Sequence, residues 1–325
     1  MKHREYLVPY GKGSLKRPRR KKRKIGRLLL YHITNWTLAV VSSLLLTAAL
    51  IMYLCGILFV EPIPQNGATF LYLSVGQANC SVITTDVGNV MIDTGSTASE
   101  ADVIAYLSYY GVDCIDLLLL THADEDHSGG LSALLRSVPI TRIALTEGTR
   151  NALYEMRVGK ELKEAVENGE TEVEFVAAGT EFRIGDMEIS VLTPHRDSAE
   201  YLLGDNASSL VLYVKYGETE AVFPGDADEL AEKRAVAAMK ARYPNAACDI
   251  LLAGHHGSAS SSSAEFLSYL SPKYAVISCE RDNSYGHPSH EVLRRFASVG
   301  AEVCRIDLDG TVIFHSDGKT ITRLR

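Results

Sequence analysis

The strongest signal in the pattern of apolar and polar positions is the run from Trp36 to Val60, 25 consecutive residues without a charge. About 20 apolar residues suffice to cross a bilayer as a helix, so this run predicts one transmembrane helix. A buried core helix fits less well, because helices of soluble domains keep a polar face. A cleaved signal peptide would have an apolar region of only about 7–15 residues. Beyond a Pro/Gly linker, Glu61-Pro-Ile-Pro-Gln-Asn-Gly67, the pattern changes to short apolar runs separated by turn residues. These predict strands at Thr69–Leu73, Cys80–Thr85 and Asn89–Ile92, a helix over Ser99–Tyr110 stopped by Gly111, and a strand at Ile115–Leu120. A helix over Gly129–Val138, a strand at Thr141–Leu145 and one mostly polar helix over Thr149–Asn168 follow. Hairpins around Gly185-Asp186 and Tyr216-Gly217 come next, then strands at Asp249–Ala253 and Tyr274–Ser278, each leading to a helix. A last hairpin, Thr311–His315 with Thr320–Leu324, closes the chain. Each half thus has hairpins followed by strand–helix units. That order predicts an α/β fold of two sheets packed face to face with helices outside, an α/β/β/α sandwich.

Charge divides the chain further. The net charge of −7 hides 12 Lys/Arg against one Glu in residues 1–28, which leaves the remainder at −18. Lys16-Arg17-Pro18-Arg19-Arg20-Lys21-Lys22-Arg23-Lys24 lies just before the apolar run. By the positive-inside rule this end stays in the cytoplasm and the body lies outside the cell, with the lipid bilayer as the one partner the sequence implies. A nucleic-acid or nuclear-targeting patch is the rival reading of the same cluster. The expected divisions are a basic cytoplasmic tail (1–28), a single-pass membrane helix (29–60), a linker (61–67) and a catalytic domain (68–325). No protein partner is indicated. Cys80, Cys114, Cys248, Cys279 and Cys304 show no C-x-x-C spacing, so no metal or redox motif is read from them.

The candidate chemistry lies in Leu117-Leu-Leu-Leu-Thr-His122-Ala-Asp124-Glu-Asp126-His127-Ser-Gly129-Gly130. Two imidazoles and two carboxylates within six positions of a strand end suit a pair of divalent metals held close together. Alternation puts His122 and Asp124 on one side, and the following turn brings Asp126 and His127 to a neighbouring point. A solvated acidic loop is the bland alternative. Asp226, after Gly225, could cap the next helix. Ser260–Ser263 read as a helix start, and Ser258 is a candidate substrate contact.

Together these segments resemble the metallo-β-lactamase superfamily, whose first signature is H-x-H-x-D-H. With Asp124 in the second position, the loop is similar to that of ComEC-type competence proteins. Val75-Gly76-Gln77, Ile92-Asp93-Thr94-Gly95, Gly225-Asp226-Ala227, His255-His256-Gly257-Ser258 and Asn283-Ser-Tyr285-Gly286-His287-Pro288 agree with that subgroup. The resemblance covers about residues 68 to 323 and implies the αββα metallo-β-lactamase sandwich. It also implies that His122 and Asp124 bind one metal and Asp126 and His127 the second. Asp226 would bridge both, and His255 would complete the second site. His255 is preferred to His256 because it comes directly off the strand; His256 would then orient substrate. Asn206 occupies the place of a third ligand on the first metal. Asp93 would hold a ligating histidine by its ring N–H rather than touch metal. His287 would be a proton donor or a supporting partner. The early segment departs from the subgroup's V-G-Q-G-D-A, reading Val75-Gly-Gln-Ala78-Asn79-Cys80. A full ComEC protein also has a polytopic channel and an oligonucleotide-binding-type domain, so DNA uptake is not part of the expectation.

The implied function is a membrane-anchored extracellular hydrolase with two divalent metal ions, zinc or manganese, activating a water against a phosphodiester. Asp126, Asp226 and His287 are its expected catalytic residues. Nucleic acid is one candidate substrate, although the −18 body disfavours binding that depends on Lys/Arg–phosphate contacts. Smaller phosphodiesters are the other. The alternative is a tethered, non-catalytic sensing module that has kept the metal-binding fold.

Overall fold

A computed structural model describes residues 20–58, 63–64, 66–244 and 248–325. The basic cluster before Arg20 and the linker residues Glu61, Pro62 and Gln65 fall outside them. The chain forms two compact units divided between Pro62 and Ile63. In the first, helix α1 (Arg20–Leu58) begins inside the stretch expected as tail. Its segment Leu30–Ile51, 22 residues with mean hydropathy 1.6, is long and apolar enough to cross a membrane. Threonines inside that segment bond back to the helix itself. Thr34 Oγ1 donates to Leu30 O (2.9 Å) and Thr47 Oγ1 to Ser43 O (2.8 Å).

The second unit is the α/β/β/α sandwich. Its first sheet opens with the antiparallel strands β1 (Ala68–Tyr72), β2 (Ser81–Thr84) and β3 (Asn89–Ile92). Helix α2 (Glu100–Tyr109) leads to β4 (Leu117–Leu119), parallel to β3. Helices α3 (Glu125–Ser128) and α4 (Leu131–Ser137) then lead to β5 (Arg142–Leu145), and α5 (Glu147–Glu155) and α6 (Val158–Glu167) lead to β6 (Glu172–Phe175). The second sheet repeats this plan. β7 (Glu181–Ile184), β8 (Met187–Thr193), β9 (Val211–Tyr216) and β10 (Thr219–Phe223) are antiparallel. After helix α7 (Glu229–Arg242), β11 (Ile250–Leu252) is added in parallel. Helix α8 (Ala264–Leu270) precedes β12 (Tyr274–Ile277), and α9 (His290–Ser298) precedes β13 (Glu302–Arg305); both strands are again parallel. The short α10 (Ile306–Asp309) returns the chain to β14 (Val312–Ser316) and β15 (Ile321–Arg323), which extend the first sheet beside β1.

Three apolar layers hold this arrangement. Phe70, Tyr72, Ile92 and Leu119 meet Leu212, Phe223, Ile250 and Leu252 between the sheets. Leu118, Leu134, Leu153 and Leu162 join the outer face of the first sheet to its helices, and Val222, Leu251, Val236 and Phe296 do so for the second. Two details differ from the sequence pattern. The helix expected over Thr149–Asn168 is broken at Met156, whose backbone is extended (φ −89°, ψ 170°). The break lets Gly159 press on Tyr154, where an added Cβ would lie 2.6 Å from the Tyr154 Cα, so α5 and α6 each turn a leucine inward. The helix expected from Gly129 is preceded by the separate turn α3, which carries Asp126 and His127.

Candidate metal centre

In sheets with parallel strands, ligands gather outside the carboxyl ends. Here β3, β4, β10, β11 and β12 all deliver their last residues to one place. Asp93 follows β3 at φ 58° and is buried. Its Oδ1 accepts from the Thr121 amide (2.8 Å), and its Oδ2 accepts from His127 Nδ1 (2.7 Å). A carboxylate there can only accept, so His127 Nδ1 carries a proton and Nε2 is the atom that faces the site. His256 is arranged alike: its Nδ1 donates to the Ser278 carbonyl (2.9 Å), leaving Nε2 as the inward atom.

The inward atoms converge closely. His127 Nε2 lies 3.3 Å from His256 Nε2 and 3.1 Å from Asp226 Oδ1, and His256 Nε2 lies 3.2 Å from Asp126 Oδ2. His122 Nε2 and Asp226 Oδ1 are buried without a hydrogen-bond partner. Such groups are costly to bury unpaired, and a divalent cation compensates carboxylates and imidazole nitrogens packed this closely. Two donor groups result. His122, His127 and Asp226 each offer an atom within 4.8 Å of the others, and so do Asp126, His127 and His256. The residues present therefore fit divalent cations.

The remaining candidates are placed as follows. Asp124 Oδ2 lies 3.7 Å from His122 Nε2 on the more open side. The preference for His255 over His256 is met by a divided arrangement. Both rings reach Asp226, His255 Nε2 at 3.4 Å from Oδ2 and His256 Nε2 at 3.9 Å from Oδ1. His256 is 2% exposed and also meets Asp126, whereas the His255 side chain is 30% exposed. The reason is backbone hand: both residues have left-handed φ, 49° and 54°, which turns the second ring inward rather than the first. Each such conformation costs about 1–3 kcal/mol for a side-chain-bearing residue. Asn206 lies in a loop tied to the metal loop by Ala123 N to Gly204 O (2.9 Å) and Leu210 N to Thr121 O (3.0 Å), and its Oδ1 is buried and unpartnered. The His287 ring stands 5.9 Å from that of His255, with Nδ1 3.4 Å from Gln77 Nε2. The Ser258 hydroxyl pairs with Ser260 within its own loop (3.0 Å). Thr121, Ser209 and Ser278 carry no signal in the motifs yet hold the site. Ser209 Oγ accepts from the Asp226 amide (3.1 Å) and lies 3.4 Å from His122 Nδ1.

Electrostatics follow from burial and these neighbours. Burial, then His127, lowers His122 to about 3, so the ring is neutral and free to bind a cation. Burial alone would raise Asp226, but His127, His256 and His122 outweigh it and hold the acid well below its usual range. Burial would lower His127, and Asp226 and Asp93 reverse this, raising it well above the ordinary imidazole value. Asp124 is raised by burial and by Asp126 beside it. Burial also raises Asp126, but the His256 hydrogen bond and the His127 charge outweigh it, leaving the acid lowered.

Comparison with known proteins agrees with this geometry. Residues 73–281 match the family described as the metallo-beta-lactamase superfamily. ComE operon protein 3 of Bacillus subtilis (strain 168) is 30% identical over 289 residues, covering 83% of this chain and 36% of that protein. Competence protein ComA of Neisseria gonorrhoeae is 30% identical over 259 residues, covering 78% of this chain and 33% of its own length. The chain thus spans about a third of the length of these curated relatives. Among solved structures, CmlA, a diiron beta-hydroxylase from Streptomyces venezuelae, shares the fold with a TM-score of 0.53 at 17% identity, over 81% of this chain and 55% of that one. The sandwich, the strand-end donors and the matched residues lead to one conclusion: the chain belongs to the metallo-beta-lactamase superfamily, with competence proteins among its relatives.

Proposed function

We propose that this protein is a membrane-anchored, metal-dependent hydrolase acting on phosphodiesters. The observation that carries the reading is the close convergence of His122, Asp126, His127, Asp226 and His256 side-chain atoms at one buried point. A pair of divalent cations, zinc or manganese, held there would lower the pKa of water and neutralise charge growing on a phosphoryl oxygen. Asp126, His127 and His256 would hold one ion, His122 and Asp124 the other, and Asp226 would lie between them. Asn206 offers a further oxygen through its orphaned Oδ1. Asp93 and the Ser278 carbonyl hold the two buried rings by Nδ1, which turns Nε2 toward the site. His255 and His287 lie beside each other, and there they would orient substrate and donate a proton or hydrogen bond to it. The carboxylate-rich donor set favours in-line displacement at phosphorus. The −18 charge after residue 28 favours small phosphodiesters over long nucleic acid.

We also propose that α1 crosses the membrane once with its basic end in the cytoplasm, which leaves the hydrolase domain outside. Protease added to intact cells should then digest the domain and spare the tail; protection of the domain would reverse the orientation. For the activity, the full chain in detergent is stripped of metal, reloaded with zinc or manganese, and assayed with bis-p-nitrophenyl phosphate. Asp226→Ala should lose more than about a hundredfold, since outer partners of metal ligands alone account for about 10–100-fold. Equal rates for the two proteins would sink the reading. Single-stranded DNA, double-stranded DNA and phosphocholine esters then sort the substrate.

A further inference from the structure

The serine run after the double histidine reads in sequence as a helix start, and Ser263 does cap α8 by accepting from Phe266 N. The rest of the run is occupied otherwise. Glu232, one turn into α7, is 0% exposed, an unusual place for a carboxylate that lies outside the metal cluster. One of its oxygens accepts from the Ser262 amide and the other from the Ser263 amide (2.9 Å). From the far side, Arg295 of α9 donates to the carbonyls of Ala259, Ser261 and Ser262 (3.1, 3.0 and 3.3 Å). The loop is tied onward at both ends. Ser262 Oγ accepts from Gly254 N (3.2 Å), directly before His255, and Ser261 Oγ donates to Ala227 O (2.7 Å), directly after Asp226. Ser262 itself sits at φ 52°.

From this geometry we infer that Glu232, with Arg295, is a positioning pair that clamps the Ser258–Ser263 loop and thereby sets His255 and His256 against Asp226. The inference rests on the metal-centre reading of those residues. Two consecutive left-handed residues do not hold themselves, and a surrounding structure must over-determine them. Helix α7 supplies it, because the same element that follows Asp226 carries the carboxylate gripping the loop that follows His256. A charged group suits this position because it satisfies two buried amides at once, with bonds stronger than neutral ones.

The test uses the full chain in detergent, with Glu232→Ala, Glu232→Gln and, as a control, Val236→Ala, a buried residue on the same helix facing the apolar layer. In metal-free protein, diethyl pyrocarbonate modification of His256 is followed by peptide mass spectrometry. The clamp predicts slow modification in wild type and Val236→Ala, at least tenfold faster modification in Glu232→Ala, and an intermediate rate in Glu232→Gln, which keeps one acceptor. Cobalt(II) affinity, read from the visible spectrum, should weaken in the same order. Should Glu232→Ala fail to fold, the comparison of Glu232→Gln with Val236→Ala decides the matter. Unchanged His256 reactivity in the Glu232 variants, or changes that only track melting temperature as in Val236→Ala, overturn the inference. Wild type that binds no cobalt while the reactivity pattern holds would overturn the two-cation reading and leave the clamp standing.

Discussion

On the first sheet, His122 and His127 leave β4 with negative φ, and His127 is oriented by a side chain, the buried carboxylate of Asp93. On the second sheet, His255 and His256 leave β11 in left-handed conformations, and His256 is oriented by a backbone carbonyl, that of Ser278. The first loop is thus written mainly in its own residues. The second is imposed by its neighbours: Glu232, Arg295 and the serine loop. Convergent donors do not require equivalent supports, and the support outside the motif is where the second loop is vulnerable.

Four measurements would break or sharpen that contrast. Leu119 and Leu252 end β4 and β11 and share the layer between the sheets. Leu119→Ala and Leu252→Ala should each cost about 2–5 kcal/mol in denaturant unfolding, because deleting a buried leucine leaves a cavity. Similar losses locate the contrast in the loops rather than the strands beneath them. Next, Asp93→Asn should weaken cobalt(II) binding by about 10–100-fold while secondary structure persists, the usual effect of losing a carboxylate behind a ligating histidine. Unchanged affinity would mean that the His127 ring needs no such partner. The third concerns the two neighbouring rings. Alanine at His256 should lower metal affinity more than alanine at His255, since His256 also meets Asp126. The reverse order would favour the ring that comes directly off the strand. The smallest effect belongs to a turn outside both loops. Asp317 accepts from Thr320 N (2.7 Å) and Lys319 N (2.9 Å), which lowers its acid below 3.8. A lowered folded-state value stabilises above the unfolded value and is lost as pH falls through the folded one. Asp317→Ala should therefore melt earlier than wild type at pH 7, and the gap should close below about pH 3.8.

Much of this was legible in the chain because it is local. His122 to His127 lie within six positions, Gly225-Asp226 follows an apolar strand, and hairpin and strand–helix patterns recur in both halves. What could not be read depends on contacts between distant segments or on backbone hand. Alternation along an extended strand makes His255 the inward ring, and no spacing rule reveals that His255 and His256 both take positive φ. Ser278 orients His256 through its carbonyl, which every residue type possesses, so its identity gives no clue. Glu232 looks like any acidic residue on an exposed helix until the fold brings it to Ser262 and Ser263. The polar stretch 149–168 has a helical pattern on both sides of Gly159, and packing against the sheet places its break at Met156.

The pairing of β14 with β1 carries a consequence for the order of assembly. Tyr72 lies opposite Val312, so the strand made first in the domain receives its outer neighbour only after the whole second sheet has been made. During synthesis β1 has an unpaired edge on that side, the feature that invites wrong partners in growing chains. The sheet carrying His122 and His127 is therefore completed only after the whole second sheet has been made. The centre is a late product of the domain's folding, and loss of the β14–β15 hairpin would injure it from a distant part of the sequence.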